Sequence, residues 1–491
     1  MREITYQTPG LKLFFFTLLI TLSYFPIFLH LDSKPLREWD EARNAINAFE
    51  MSRSHNLVVK TYQNEPDLWE TKPPLLVWMQ VVCFKLFGYN ELAVRLPSAL
   101  ATMTLVLFLF NYFLRHFKNP FIGLFASLIL LTSGGYMHEH AARTGDHDAL
   151  LVCFEMLMLL SFFMYIETGK RIQLILFSIC LMLAIYTKSI AVFMFLPGII
   201  LYLILTKQLI RCLKNKNLWL GFISAITGAL IYYSIREMVE PGYFKAVWEN
   251  ELFPRYFNTA TTYQYAVSDF WFYFRELKNN QFSEWISLLV PAIIINILTC
   301  KELLKKFHHY VLIITLTFFL IISKGTTNVW YDLPLIPLMS IIIGIALYQL
   351  VLLIYLQIKM RIELRYGILL LASILLFLNP YRQIISKVMN KDETNTEVQY
   401  AYVLKHLEKT FPDIRTFEIY NPSGSNYPLV FYRDVMNLTK NYTIQNTYKD
   451  DLIPDGRYLV VLEQNLPEIE DSGIPFKIIF KDFNCYFIQL K

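Results

Sequence analysis

The sequence predicts an α-helical protein that crosses a membrane many times and ends in a small soluble α/β domain. Of its 491 residues, 55% are hydrophobic and only 17% are charged, whereas about a quarter of the residues of a soluble domain are charged. Uncharged runs of about 20 residues recur up to about residue 380, and a helix of that length spans the hydrocarbon core of a bilayer. Much of the surface must therefore face lipid.

The uncharged runs predict roughly 11 to 13 transmembrane helices. Those that can be placed lie near residues 11–31, 93–114, 120–135, 149–166, 172–187, 189–206, 218–238, 284–299, 309–323, 333–356 and 366–380. The first run is long for the core of a signal peptide, and no small-residue cleavage site follows it. We therefore expect it to be a retained span.

Lysine and arginine in alternate loops predict the orientation, because basic residues resist translocation and stay in the cytoplasm. The basic loops lie at residues 115–118, 170–171, 207–216, 301–306 and 359–365. The other loops include the long segments 32–92 and 239–283, which we place outside the cytoplasm together with the C-terminal region. The net charge of +5 is mostly that of the cytoplasmic loops and gives no ground for nucleic-acid binding.

The pattern changes near residue 381, so we predict a transmembrane domain at 1–380 and an extracytoplasmic α/β domain at 381–491. Residues 397–409 have helical spacing, and residues 421–428 predict a loop. Short β-rich runs predict strands at 415–420, 457–463, 476–480 and 485–490.

The first outer loop carries an acidic pair at the predicted start of a helix, Asp40 and Glu41, followed by Arg43. Carboxylates there complement the helix dipole and pair with nearby arginines, which is a purely structural role. A carboxylate at the membrane surface can also act as a general base or orient a substrate. Both roles are open for this pair.

Lys72 precedes two prolines that stiffen the backbone and begin an apolar helix. That helix is too interrupted to be a good span and is expected to lie in the membrane interface. A lysine fixed at this depth is well placed to bind a lipid phosphate, although a plain surface lysine is the alternative.

A third outer cluster lies just before a predicted span, in the segment 136–151. Its ionisable residues are Glu139, Arg143, Asp146 and Asp148, together with His138, His140 and His147. Ionisable groups at a membrane boundary are candidates for function. The alternative is a structural role, because an ionisable group outside the hydrocarbon region costs little free energy. The histidine spacing is not a recognised metal-ligand pattern, so we predict no metal ligands and no required cofactor, and a divalent metal stays the alternative.

Three more basic residues are predicted outside, against the orientation bias: Lys188, Arg255 and Lys324. Singly, each is expected to be an interface residue. Together with Lys72 and Arg143 they form an outer basic set that would suit an anion such as a polyprenyl phosphate.

These residues lie in motifs that occur in a recognisable order: DEAR, KPPLLVW, GYNELAVRLPSAL, RTGDHDALL, YTKS and KGTTNVWYDLPLIP. The order resembles that of the bacterial aminoarabinose and related lipid-linked-sugar transferases, and is similar to that of protein O-mannosyltransferases, of the GT-C class. The resemblance covers most of the membrane domain. It implies a GT-C-like fold, a polyprenyl phosphate sugar donor, and transfer with inversion outside the cytoplasmic membrane.

The resemblance also implies roles for individual residues. The acidic residue of the first loop matches Asp40, the residue at the head of the fourth span matches Asp148, and Asp146 could share that role. The residues implied to bind the donor phosphate are Lys72, Arg255, Lys324 and Tyr331. Asp40 is implied as general base for a hydroxyl acceptor, and the residues expected to orient the sugar and acceptor are Glu41, Arg43, Arg143, Asp146, Asp148 and Lys188.

The sequence departs from the aminoarabinose enzymes where Asn44 replaces a tyrosine and where WETKPP replaces an EKPP arrangement. The C-terminal domain has no match to the family. The sugar and the acceptor, a lipid A-like glycolipid, a glycan or a protein, are therefore left open. A protein O-glycosyltransferase is the alternative within this class, and a lipid or solute transporter or flippase is the alternative outside it. The expected location is the bacterial inner membrane, with the site and the C-terminal domain facing the periplasm.

Overall fold

The computed structural model of the chain describes residues 9–138, 140–252, 269–325, 327–357, 362–390, 398–422, 426–482 and 484–491. Helices dominate the region before residue 390. They are α1 (Pro9–Phe28), α2 (Asp40–Ser54), α3 (Leu75–Phe87), α4 (Glu91–His116), α5 (Pro120–Leu131), α6 (His147–Thr168), α7 (Arg171–Lys188), α8 (Leu196–Leu205), α9 (Leu209–Leu213), α10 (Lys216–Val239), α11 (Tyr243–Val247), α12 (Phe272–Glu276), α13 (Leu289–Thr299), α14 (Glu302–Ile322), α15 (Leu335–Gln357) and α16 (Ile362–Met389). Short 3₁₀ or π segments occupy Ser189–Phe195, Trp248–Leu252, Leu277–Gln281, Ile286–Leu288 and Val329–Asp332.

Within the described residues, six helical stretches are long and apolar enough to cross a membrane. They are Glu91–His116, His147–Thr168, Arg171–Leu205, Lys216–Val239, Glu302–Ile322 and Val329–Ile354. A pair of segments bent by 117°, Phe272–Gln281 and Ile286–Thr299, could form one more, and shorter apolar helices lie at Lys12–Phe28, Leu75–Phe87 and Pro120–Leu131. The predicted helical polytopic class is confirmed, whereas the count of 11 to 13 spans is not.

The stretch Arg171–Leu205 shows why spans are difficult to count. Its 35 residues would extend about 52 Å as one straight helix, well beyond a hydrocarbon core of about 30 Å. The sequence predicts two spans here, and the structure has a break between them, because Ser189 follows Lys188 with a positive φ of 55°. Lys188 therefore lies at the end of α7 rather than in the middle of a helix.

The predicted helix in the first outer loop is confirmed, since α2 begins at Asp40. The apolar helix after the two prolines is also confirmed as α3, beginning at Leu75. Helices α2 and α3 pack against each other, and α3 packs on α4. A two-stranded antiparallel ribbon, β1 (Thr61–Tyr62) with β2 (Glu65–Pro66), connects them. This arrangement joins the segment 32–92 to the start of α4, where Arg95 pairs with Glu41.

The C-terminal region contains a five-stranded mixed sheet, whereas the sequence predicts an α/β domain with four strands. Its elements are α17 (Gln399–Thr410), β3 (Thr416–Tyr420), α18 (Tyr427–Thr439), β4 (Thr443–Thr447), β5 (Tyr458–Leu462), α19 (Leu466–Glu470), β6 (Phe476–Asp482) and β7 (Cys485–Leu490), with 3₁₀ turns at Lys449–Asp451 and Glu463–Asn465. The strand order is β4-β3-β5-β7-β6, with β3 parallel to β4 and β5, and β7 antiparallel to β5 and β6. The four predicted strands and the helix before them are confirmed, while β4 and α18 were not predicted.

This domain packs on the first outer loop. Phe431 of α18 lies 6.3 Å, ring to ring, from both Phe49 of α2 and Phe84 of α3. The hydroxyl of Tyr432 donates a 2.6 Å hydrogen bond to Glu91 at the head of α4. Helix α16 continues to Met389, beyond residue 380, so the exact domain boundary stays a prediction.

Candidate functional site

Glu41, predicted to orient substrate, holds the first outer loop together. Its carboxylate accepts hydrogen bonds from the Arg95 guanidinium at 2.7 and 3.0 Å. It also accepts from the main-chain N–H groups of Arg37 and Gly145, each at 2.8 Å. Both side chains are buried. One carboxylate thus joins α2, α4 and the segment that precedes α6.

The electrostatics of Glu41 lead to a stability prediction. Burial on its own would raise the pKa of Glu41, but the Arg95 guanidinium and the N–H donors lower that pKa below its usual value. A lowered carboxyl pKa stabilises the folded state above the ordinary pKa of about 4.3, and this stability is lost only as the pH falls below it. The pair is therefore intact at neutral pH.

Replacement of Glu41 by alanine leaves the Arg95 guanidinium buried without its counter-charge. We expect the variant to lose about 3–5 kcal/mol of stability, measured by chemical unfolding in detergent at pH 7. The matched control is Glu408→Ala, which removes an exposed salt bridge with Lys440, and this change should cost about 0–1 kcal/mol. Equal costs for the two variants would contradict the role assigned to Glu41.

Arg43, the second predicted orienting residue, is paired with an acid that the sequence reading missed. Its Nε and Nη2 donate to the two carboxylate oxygens of Asp67 at 2.9 and 2.7 Å. Its Nη1 donates to the hydroxyl of Tyr427 at 2.8 Å, and its guanidinium lies 4.8 Å from the ring centre of Tyr62. Because Tyr427 belongs to the C-terminal domain, Arg43 links that domain to the helix that begins with Asp40.

Asp40 lies beside two residues from the third outer cluster. One ligand-type atom from each of Asp40, His140 and Asp146 lies within 4.8 Å of the others. Burial raises the pKa of Asp146 to about 7; His140 opposes this shift, and the charges of Asp40 and Glu41 add to it. The imidazole of His140 stacks on Trp330, with ring centres 3.7 Å apart. Of the two acids predicted near the head of α6, Asp146 is thus the one beside Asp40.

Arg143 points to a different place from the acidic cluster. Its guanidinium donates at 2.8 to 3.3 Å to main-chain carbonyls at the end of α1, those of Pro26, Ile27, Leu29 and His30. Burial lowers the pKa of Arg143 to about 10, with a further contribution from Arg95. It also lines a cavity of about 70 Å³ together with Lys34, His138 and Lys387. Cationic groups dominate that cavity.

Lys72, predicted to bind the donor phosphate, is held by a neighbouring carboxylate. Its Nζ lies 2.7 Å from Glu70, and the buried Lys60 lies 3.4 Å from the same carboxylate. Burial alone would raise the pKa of Glu70, but Lys72, Lys60 and His147 lower it well below its usual value. The influence of His147 shows that the Lys72 segment lies near the head of α6. The second outer loop covers this segment, since the Tyr243 hydroxyl donates to the carbonyl of Thr71 at 2.7 Å.

The main cavity contains the other predicted residues. It has a volume of about 250 Å³ and opens between α6, α7, α14 and the segment before α15. Lys188 Nζ lies 2.6 Å from Asp148 Oδ1, and both side chains are at most 9% exposed. Lys188 also lies 5.4 Å from the ring centre of Tyr331. The exposed Lys324 lies at the mouth of the cavity.

Apolar side chains make up most of the remaining wall. They are Leu151, Ile190, Ala191, Met194, Phe318, Ile321, Ile322 and Pro334. Two acids that the sequence reading missed, Glu155 and Glu251, also line the cavity. Asp148, Leu151 and Glu155 recur at helical spacing, which places them on one face of α6.

The structure thus brings Asp148, Lys188, Lys324 and Tyr331 into one cavity, and Asp40 and Asp146 into one cluster. Lys72 lies with Glu70 beside the head of α6. Arg255 and Glu139 lie outside the described residues. Glu70 lies two residues before Lys72 in WETKPP and could have been found from that spacing, whereas nothing in the local sequence of Asp67 indicates its pairing with Arg43.

Comparison with known proteins agrees with this picture. Residues 71–241 match the family model of dolichyl-phosphate-mannose-protein mannosyltransferases. Two curated relatives from Bacillus subtilis, the putative mannosyltransferases YycA and YkcB, are 24% and 26% identical over 181 and 180 residues. Each match covers 37% of this chain but only 26% and 24% of the relative, so the chain matches about a quarter of the length of these proteins. The resemblance found in the motifs is confirmed over this region.

Solved structures extend the likeness to the whole chain. ArnT from Cupriavidus metallidurans, in a crystal structure bound to undecaprenyl phosphate, superposes with a TM-score of 0.69 and 15% identity over 98% of both chains. The same protein in the apo state gives a TM-score of 0.66 over the same shares. At this identity the comparison shows a shared fold, including the C-terminal sheet domain.

Proposed function

We propose that the protein is an inverting glycosyltransferase that moves a sugar from a polyprenyl monophosphate carrier to a cell-envelope acceptor. One observation carries the proposal: the main cavity combines apolar walls with Lys188, Lys324 and Tyr331 at the ends of membrane helices, beside the carboxylates of Asp148, Glu155 and Glu251. An isoprenoid chain needs the apolar wall, and its phosphate needs the positive charge of the lysines. Most ligand pockets are similarly apolar with a few placed polar groups.

In this mechanism the donor phosphate is the leaving group. Lys324 and Tyr331 supply preorganised hydrogen-bond donors to the charge that develops on the phosphate as the bond to the sugar breaks. Lys188, held by Asp148, contributes a second positive charge in the same cavity. Lys72 and Arg255 complete the proposed phosphate-binding set, with Lys72 shared between the phosphate and Glu70. Both nucleophile and leaving group are oxygens, and inversion follows from direct displacement.

Asp40 is the proposed general base. It lies at the first turn of α2, and the loop around it is fixed by the Glu41–Arg95 and Arg43–Asp67 ion pairs. A hydroxyl acceptor must lose a proton during attack, whereas an ionised phosphate acceptor needs only positioning. Asp146, Arg43 and Arg143 are proposed to orient the acceptor or to hold the loops that do so.

The acceptor is proposed to be a lipid A-like glycolipid or glycan on the extracytoplasmic side of a bacterial inner membrane. A protein acceptor is the alternative within the same reaction. The C-terminal domain supports an extended acceptor, because Tyr427 places it in direct contact with Arg43 beside Asp40. We therefore propose that the domain forms one wall of the approach to Asp40.

A decisive experiment uses the purified full chain in proteoliposomes with a radiolabelled polyprenyl phosphate sugar. A transferase converts the donor to polyprenyl phosphate and labels the acceptor. A flippase, the alternative from another class, moves the donor between leaflets and leaves it chemically intact. Donor that is translocated but never consumed with any envelope acceptor would overturn the proposal.

The role of Lys324 gives a sharper prediction. The Lys324→Gln variant keeps side-chain length but loses the charge, so we expect donor affinity to fall about 10- to 100-fold, the usual effect of losing a charge-assisted hydrogen bond. Binding of polyprenyl phosphate by titration measures this directly. Lys245→Gln is the matched control, since Lys245 is a 77% exposed outer-loop lysine that pairs with Glu249. Unchanged affinity in Lys324→Gln would remove this lysine from the phosphate site.

A further inference from the structure

We infer that Asp40, His140 and Asp146 form a binding site for a divalent transition-metal ion of the Mn²⁺ or Zn²⁺ type. The three side chains come from separate segments: the first turn of α2, the loop after α5, and the residue that precedes α6. One donor atom from each lies within 4.8 Å of the others. Two carboxylates with one imidazole are ligands that such ions accept.

The orientation of Asp146 points to a ligand. An aspartate at the position before a helix normally accepts a hydrogen bond from the first-turn N–H groups. Asp146 makes no such bond, and its Oδ1 has no hydrogen-bond partner in the described part of the chain, although the side chain is only 3% exposed. A buried carboxylate oxygen without a partner is costly unless something binds it.

His140 is oriented toward the same point. Its Nδ1 lies 3.4 Å from Asp146 Oδ2, close to the separation of about 3–3.5 Å that two ligands have around one ion. This nitrogen is also buried without a hydrogen-bond partner among the residues described. The stacked Trp330 fixes the ring plane, as outer contacts do for metal-ligating histidines. One carboxylate oxygen of Asp40 lies within 4.8 Å of the ligand atoms of His140 and Asp146, and binding through that oxygen leaves the other oxygen to take up the acceptor proton.

Charge in the surroundings supports a cation rather than a salt bridge. The neighbouring basic side chains are already close to other carboxylates: Arg95 to Glu41, Arg43 to Asp67, Lys72 to Glu70 and Lys188 to Asp148. Asp40 and Asp146 thus lie in one cluster with the imidazole of His140, and their ligand atoms are within 4.8 Å of one another. A divalent ion balances that charge and retains coordination positions for water or a substrate oxygen.

Metal binding can be measured without any assay of transfer. The purified full chain, treated with a chelator and then dialysed against Mn²⁺ or Zn²⁺, should retain about one ion per chain, counted by elemental analysis, and the ion should raise the unfolding temperature. His140→Ala and Asp146→Asn should each weaken binding about tenfold or more. His138→Ala is the matched control, because this histidine of the same loop lines the separate cavity with Arg143, and it should bind like the wild type.

Two results would overturn the inference. One is a wild-type chain that retains no ion at micromolar concentrations. The other is a His140→Ala or Asp146→Asn variant that is as stable as the metal-free wild type and still binds with wild-type affinity. An ion bound by a chain that consumes no lipid-linked sugar would leave the metal site standing and remove only the proposed transferase reaction, so the two failures are distinguishable.

Discussion

Asp40→Asn should reduce transfer to a hydroxyl acceptor about 10²- to 10⁴-fold, the range typical of a general base. Asparagine has nearly the same shape and cannot accept the acceptor proton, while the ion pairs of Glu41 and Arg43 that position α2 stay in place. The rate should therefore fall at saturating donor, and the affinity for polyprenyl phosphate should stay within a few-fold of wild type. Initial rates in proteoliposomes, with donor binding measured separately, test both parts.

Asp32→Asn is the matched control for this experiment. Asp32 is an exposed aspartate of the same outer loop, so its replacement removes the same charge without touching the cluster around Asp40. Full activity of Asp40→Asn with a hydroxyl acceptor would refute the general-base role. Loss of activity with a hydroxyl acceptor but not with a phosphate acceptor would support it most directly, because only the hydroxyl needs a base.

Much of the fold could be predicted because its signals are local. Uncharged runs indicate membrane helices, the acidic pair at Asp40 and Glu41 indicates a helix start, and alternating apolar residues indicate most of the C-terminal strands. Strand β4 was missed because TIQNT in 443–447 is mostly polar; it lies at the edge of the sheet, where one apolar residue, Ile444, is buried. The span count was not confirmed for another reason: some predicted spans are shorter apolar helices in the structure, such as Lys12–Phe28 and Pro120–Leu131, and sequence does not fix where such helices end.

The candidate site could be predicted only as a list of residues. Sequence places Glu41 beside Arg43, but the structure pairs Glu41 with Arg95, 54 residues away, and Arg43 with Asp67, 24 residues away. Such pairings arise from the packing of α2 on α3 and of α3 on α4, which no local pattern reports. Hence the sequence could not separate residues that hold the loops from residues that face the cavity.

Lys188→Met should nearly abolish activity and also destabilise the protein. The substitution leaves the carboxylate of Asp148 buried without its cation, and breaking a buried pair in this way costs about 3–5 kcal/mol. In the double variant Lys188→Met with Asp148→Leu, both charges are replaced by apolar groups of similar size. Such replacements are often neutral or stabilising, so the double variant should recover stability but not transfer.

This comparison separates a structural role from a functional one. Unfolding in detergent reports the stability of each variant, and donor binding together with transfer reports the site. Lys306 and Glu167, 2.8 Å apart at the other end of α6, provide the control pair. Lys306 is 57% exposed, so Lys306→Met should cost about 0–1 kcal/mol and leave donor binding unchanged.

If the double variant at Lys188 and Asp148 regains transfer along with stability, the pair only joins α6 to α7. If stability returns without transfer, the charges themselves act on the donor, because the helices that carry them are again in place.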